Sequence, residues 1–124
     1  MNRILILDDD ERICDELAEY LLHRHYDVFT AGKPSLAREM LTKRDIGLVF
    51  LDINLPEMNG ISFLKEIKQK YPLTKVVMIS SNVSDRIIND ALQRGAESFF
   101  TKPIHLSQIQ EEINRINKTN GREL

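Results

Sequence analysis

One cysteine, Cys14, stands among 124 residues, so no disulfide can form within the chain. A lone thiol among helical apolar positions reads as a packed side chain in a reducing compartment, and the expected location is the cytoplasm. No basic excess is present either: 17 Lys and Arg oppose 19 Asp and Glu, a formal charge of -2, which lacks the positive footprint that nucleic acid requires. The first apolar run, Ile4 to Leu7, is cut by Asp8-Asp9-Asp10, so neither a signal peptide nor a membrane span can be built there. Glycine and proline are sparse, at 5 and 4 residues, and no low-complexity segment, internal repeat or interdomain linker appears before the polar stretch that starts at Lys118. Histidine metal sites are disfavoured, because His23 and His25, two apart at the end of a helix, face different ways. They read as solvated or C-terminal charges.

What is present is an ordinary globular composition, 42% hydrophobic and 29% charged, in a chain of one-domain length that buries roughly two-thirds of its unfolded surface. Residues 1–118 are expected to form the domain, with 119–124 a polar tail or the start of a linker. Ile4-Leu5-Ile6-Leu7 reads as a buried strand, and the helix after it carries Ile13, Leu17 and Leu21 beside Cys14, Ala18 and Leu22, a double stripe at spacing four. Val28 to Ala31 is a second strand. Gly32 and Pro34 open a helix with Leu36, Ala37, Met40 and Leu41 on one side.

The third strand, Leu48 to Leu51, leads through Asp52 into a turn bracketed by Pro56 and Gly60. Its helix turns Phe63, Leu64 and Ile67 inward until Tyr71-Pro72 stops it. Lys75 to Ile79 is the fourth strand. Ser84 can cap a helix bearing Ile87, Ile88, Ala91 and Leu92, ended by a left-handed Gly95. On that helix Arg86, Asn89, Asp90, Gln93 and Arg94 read as a solvated face, with a partner surface as the alternative. Ser98 to Thr101 is the fifth strand, and Ser107 with Gln110 spells a capping box for a last helix with Ile109, Ile113 and Ile116 inward.

Five strands alternating with five helices at short connections predict an α/β fold, a flavodoxin-like doubly wound (βα)5 with a parallel sheet in the order 2-1-3-4-5. An acidic residue at the exit of a strand covered on both faces leaves the sheet edge, where open α/β sheets keep their chemistry. In this order the first and third strands are neighbours at the switch point. Asp8 and Asp9 therefore meet Asp52, with Ser80 next door and Lys102 beyond.

Three close carboxylates repel and raise one another's pKa unless a cation intervenes. Asp8, Asp9 and Asp52 against Lys102 leave two formal negative charges, and hard oxygen donors without His or Cys indicate Mg2+. Such a site suits a phosphoryl group, with Asp52 as a carboxylate nucleophile forming an acyl phosphate. Lys102 would pair with Asp52 and then with a phosphoryl oxygen, and the Ser80 hydroxyl would donate to another.

Four motifs carry a family resemblance: Ile4 to Asp10, Leu51 to Gly60, Met78-Ile79-Ser80-Ser81 and Phe99-Phe100-Thr101-Lys102-Pro103. In this order and separation, over residues 3 to about 117, the chain resembles the CheY-like receiver domain of two-component response regulators. The resemblance implies phosphorylation of Asp52 by a sensor histidine kinase or phosphotransfer protein. Mg2+ would be held by Asp9, Asp52 and the Asn54 backbone carbonyl, and by Asp8 through water. It also implies a cis Lys102-Pro103 bond, and a switch in which Ser80 moves and Phe99 fills the vacated space. The surface of the fourth helix, fifth strand and fifth helix would then be read by a downstream effector or attached output domain. For Phe99 an ordinary core role is the competing reading.

Some positions depart from the pattern. Ser80 replaces the commoner Thr but keeps the hydroxyl, and Ser81 replaces Ala, which narrows access to Asp52. Asn54 and Asn82 stand where the family tunes phosphoryl lifetime. Ser98, where the winged-helix subfamily has Asp, argues against that subfamily. The resemblance implies a phosphoacceptor rather than a turnover enzyme. Two alternatives come from other classes. An aspartyl-phosphate phosphohydrolase would need Asp-x-Asp at the nucleophile strand and a cap over its substrate, and neither is evident. A flavodoxin-like FMN carrier would need a Ser/Thr/Gly-rich phosphate loop after the first strand, where Asp8-Asp9-Asp10 would instead repel phosphate.

Overall fold

The computed structural model describes residues 2–81 and 84–120. Ten elements alternate along the chain: β1 (Arg3–Leu7), α1 (Glu11–Leu22), β2 (Asp27–Ala31), α2 (Pro34–Lys43), β3 (Leu48–Asp52), α3 (Gly60–Lys70), β4 (Lys75–Ser80), α4 (Asp85–Gln93), β5 (Ser98–Thr101) and α5 (Leu106–Asn120). All strand pairings are parallel and the order is β2-β1-β3-β4-β5, as expected. No helix among the described residues is long and apolar enough to cross a membrane.

The period-two geometry of strands divides each apolar run between two cores. Leu5, Leu7, Val49, Leu51, Val76 and Met78 face α2, α3 and α4, joining Ala37, Leu41, Phe63, Leu64, Ile67 and Ala91. Ile4, Ile6, Leu48, Phe50, Val77 and Ile79 face α1 and α5, joining Cys14, Leu17, Leu21, Ile109, Ile113 and Ile116. Each fully buried aliphatic side chain here contributes about 1.5–3 kcal/mol. Because the central strands are covered on both faces, polar side chains of these strands gather at their ends, and the carboxyl-end rim carries the acidic ones.

Local chemistry sets most helix starts. Asp10 accepts from the Arg12 and Ile13 amides, Asn59 from Ile61 at 2.7 Å, and Ser84 from Ile87 at 3.2 Å. Gly95 ends α4 at φ 106°, the left-handed conformation that favours glycine.

Several sequence expectations are corrected, among them Leu36, which is 40% exposed and not on the packed side of α2. The Cys14-Ala18-Leu22 line drifts about 40° around the helix every four residues, so Cys14 is buried while Leu22 is 55% exposed. On α4, Leu92 is also exposed and Ile87 and Ile88 are only half-buried, because this helix lies over the edge of the sheet and buries Ala91 alone. The Ser107-Gln110 capping box does not form. The helix begins at Leu106, with the His105 carbonyl accepting from Gln108 and Ile109. Leu106, the first residue of the helix, packs partly buried on the α1/α5 core. Gln110 instead donates to Asn114 at 2.8 Å. The last helix runs to Asn120, taking in the first residues of the expected polar tail.

Gly60 opens α3 against the end of β3. A Cβ there would collide with the Asp52 carbonyl oxygen and lie 2.7 Å from Ile53 Cα, both backbone atoms with no freedom to yield. Around Gly32 nothing lies within 4 Å. Gly60→Ala should therefore lower stability by about 1–3 kcal/mol in urea denaturation, while Gly32→Ala should stay within about 0.5 kcal/mol of wild type. Equal effects would mean the β3–α3 junction is not close-packed.

Candidate functional site

Register brings the acidic residues together. Leu7 pairs with Leu51, so Asp8 and Asp52, the next residue on each strand, lie side by side at the rim. Asp52 pairs with Ile79, and Ser80 pairs with Thr101, which places Lys102 one residue beyond. The Lys102 amide donates to the Ser80 carbonyl at 2.9 Å, extending the ladder to the site, and the Lys102-Pro103 peptide bond is cis.

Asp8, Asp9 and Asp52 each offer a carboxylate oxygen, all within 4.8 Å of one another. Asp8 is 1% exposed and Asp52 3%, whereas Asp9 faces solvent. Lys102 Nζ lies 2.8 Å from Asp8 Oδ2 and donates to Asp52 Oδ2 at 3.1 Å. The Asp10 amide donates to Asp8 Oδ1 at 2.9 Å, and the Asn54 amide reaches Asp52 Oδ1 at 3.4 Å. The third residue of the acidic run thus caps α1 rather than joining the cluster.

Burial raises the Asp52 carboxyl above its ordinary range, and the Asp8 charge adds to this; Lys102 and the Asn54 amide oppose it without prevailing. For Lys102, burial favours the neutral amine, but the contacts with Asp8 and Asp52 outweigh it and the ammonium is held more firmly than usual. The ammonium is the ion-pair partner of Asp8 Oδ2, a buried oxygen with no other polar partner among the described residues. Three carboxylates against one ammonium leave a surplus of negative charge around that acceptor. An all-oxygen donor set whose carboxylates outnumber the one ammonium beside them fits a hard divalent cation such as Mg2+.

Ser80 is fully buried at the end of β4. Phe99 is half-buried against the α2/α3/α4 core, opposite Met78 in register, while its neighbour Phe100 packs on the α1/α5 core. Asn54 and Ser81 are exposed. Asn82 lies outside the described residues. His23 and His25 are exposed and belong to no metal-capable group among the described residues.

Sequence reasoning missed a part played by Cys14. Its thiol donates to the Asp8 carbonyl at 3.2 Å, bracing the chain where it leaves β1. Burial, with help from the Asp8 charge, pushes this thiol up to about 11, which keeps it protonated. A cysteine seven residues past a strand end carries no pattern that announces such a bond. Beside Lys102, a cavity of about 490 Å³ opens between Ile13, Leu17, Ser81, Pro103, Ile104 and Leu106.

A family model described as the response regulator receiver domain matches residues 4–114. The chemotaxis protein CheY of Bacillus subtilis is 34% identical over 115 residues, spanning 92% of this chain and 96% of that protein. The transcriptional regulatory protein CrdR of Helicobacter pylori is 31% identical over 114 residues, 91% of this chain but 54% of CrdR, so the chain spans about half the length of that relative. A crystal structure of a CheY-like receiver domain protein from Methanospirillum hungatei superposes with a TM-score of 0.90 at 27% identity, covering 96% of this chain and 95% of that one.

The raised Asp52 carboxyl has a consequence for stability. Its folded-state pKa lies above the unfolded value, so ionised Asp52 works against the metal-free fold at neutral pH, and that burden lifts as pH falls through the raised pKa. Without metal, Asp52→Asn should shift the urea midpoint upward at neutral pH, and the gap from wild type should narrow on acidification. A gap that is constant with pH would show that the Asp52 charge does not strain the fold.

Proposed function

The chain belongs to the response regulator receiver domain family, and on that premise we propose that it is a phosphoacceptor of two-component signalling, with Asp52 as the residue modified. The observation that carries this reading is the convergence of Asp8, Asp9, Asp52 and Lys102 at one rim of the sheet.

The donor is the phosphohistidine of a sensor histidine kinase or phosphotransfer protein, presented at the open side of the rim, where the cavity beside Lys102 offers a partner apolar walls flanked by Arg12 and Glu16. An Asp52 carboxylate oxygen forms the new bond to phosphorus as the P–N bond breaks, and the electron pair of that bond returns to the imidazole nitrogen. Lys102, already on Asp52, transfers its contact to a phosphoryl oxygen, and the Ser80 hydroxyl donates to a second. Asp8, Asp9, Asp52 and the Asn54 backbone carbonyl are the groups that would hold Mg2+, which when bound neutralises phosphoryl oxygens and the surplus carboxylate charge. The reaction modifies the protein itself, so the domain acts as a switch and not as a turnover enzyme.

The phosphoryl group shifts a conformational equilibrium only through contacts that differ between the two states. Ser80 is the contact on β4. Its movement frees space for Phe99 on the neighbouring strand and alters the surface of α4, β5 and α5, which a downstream effector or attached output domain reads. The thin anchoring of α4, which buries Ala91 alone, supports this: little apolar contact is lost if the helix shifts.

Incubation with acetyl phosphate and Mg2+ should add the mass of one phosphoryl group, removable by hydroxylamine as an acyl phosphate, and Asp52→Asn should abolish the gain. Equal gain in the mutant would remove Asp52 from this role. Beryllofluoride with Mg2+ should move the Phe99 ring and α4 amide resonances, and unchanged spectra there would remove Phe99 from the switch.

A further inference from the structure

The β3–α3 loop, residues 53–59, is tied at its base by Gly60 N–H to the Ile53 carbonyl at 2.8 Å, with Leu55 N–H on the same carbonyl at 3.1 Å. Its tip is tied elsewhere. Glu57, with its backbone in the left-handed region at φ 71°, points its carboxylate at the start of α2. That helix lacks a cap of its own: Lys33 at the N-cap position makes no side-chain hydrogen bond, and Pro34 at the first position has no N–H to offer. The first orphan donor is the Ser35 amide. Glu57 Oε1 accepts it at 2.9 Å, and Oε2 accepts the Ser35 hydroxyl, also at 2.9 Å.

One turn along α2, Arg38 Nη2 contacts Met58 Sδ at 3.1 Å while its guanidinium pairs with Glu66 on α3. Ser35 and Arg38 lie three apart on one side of α2 and grip two successive residues of the loop. Glu57 is fully exposed, and the bonds from Ser35 hold its carboxyl below the usual range, so it is ionised at neutral pH.

We propose that Glu57 and Ser35 are positioning residues for the cation site: by fastening the loop tip to α2, they hold the Asn54 main chain where it can face the same cation as Asp52. This rests on the reading that Mg2+ binds among Asp8, Asp9, Asp52 and the Asn54 carbonyl. Asn54 lies between the two tie points, three residues from Glu57. Its amide makes only a long 3.4 Å contact with Asp52, so local bonding alone holds it weakly. A left-handed non-glycine residue persists where surrounding contacts over-determine it, and the paired bonds to Ser35 are such contacts.

The test is Mg2+ titration of the full chain by calorimetry and amide chemical shifts. Glu57→Ala should weaken Mg2+ binding about tenfold, the loss typical of removing a group that supports a ligand. Adding Ser35→Ala to it should weaken binding little further, since both act through one tether. Glu57→Gln removes the charge but keeps a carbonyl oxygen for the Ser35 amide and an N–H for the Ser35 hydroxyl, and it should bind Mg2+ nearly as wild type does. Thermal unfolding of the metal-free variants, expected close to wild type for so exposed a pair, separates positioning from general damage.

Unchanged Mg2+ affinity in Glu57→Ala would overturn the proposal, as would equal loss in Glu57→Gln, which would make the effect one of charge. A wild-type chain that binds no Mg2+ would instead sink the metal reading beneath it.

Discussion

The interaction on which the structure turns is the contact of one lysine with two buried carboxylates. Lys102 reaches Asp8 and Asp52 from the far side of β4; the two carboxylates are buried and the lysine is partly so. Removing charges from water costs several kcal/mol per ion after relaxation, on the order of what a well-made pair returns. An arrangement with more anions than cations does not balance, and Asp52 shows the strain: its burial first, and then the charge of Asp8, raise its carboxyl above the ordinary range. The fold tolerates it because the imbalance lies at the rim of the sheet, beside the exposed Asp9.

Topology makes the crowding unavoidable. Parallel strands bring all their carboxyl ends to one edge, and the order β2-β1-β3-β4-β5 sets β1 beside β3. The strands beneath are covered on both faces and close-packed, so the rim is held by a rigid base. Around it the supports come from different places: the Cys14 thiol on the Asp8 carbonyl, the Lys102 amide on the Ser80 carbonyl, and Gly60 pressed against the end of β3. By contrast α4 is lightly attached. Rigidity around the acids and looseness at α4 suit a domain that registers a local chemical event and displays it elsewhere.

Much of this was legible in the residues. Ile4 to Leu7, Leu48 to Leu51 and Lys75 to Ile79 read as buried strands, and the convergence of Asp8, Asp9 and Asp52 with Lys102 after the fifth strand followed once the strand order was inferred. Less legible was anything that depends on rotation about a helix axis or on contacts between distant segments. Leu22 and Leu92 have the spacing of core residues but have drifted off the packed face. Ser107 and Gln110 have the letters of a capping box, yet the helix starts at Leu106. Glu57 reads as an ordinary turn residue, and nothing in its neighbourhood announces a partner 22 residues earlier in the chain. Short-range chemistry shows in the sequence, whereas tertiary caps do not.

The central claim is that surplus negative charge at this rim makes a binding site for a divalent cation. Calorimetric titration of the metal-free chain with Mg2+ near neutral pH tests it most directly, with Asp9→Asn as the comparison because Asp9 is exposed and carries no part of the core. The account predicts one Mg2+ bound per chain, with shifts confined to the amides around Asp8 to Asp10 and Asp52 to Asn54, and much weaker binding in Asp9→Asn. Absence of binding at millimolar Mg2+, or identical affinity in the two proteins, would contradict it.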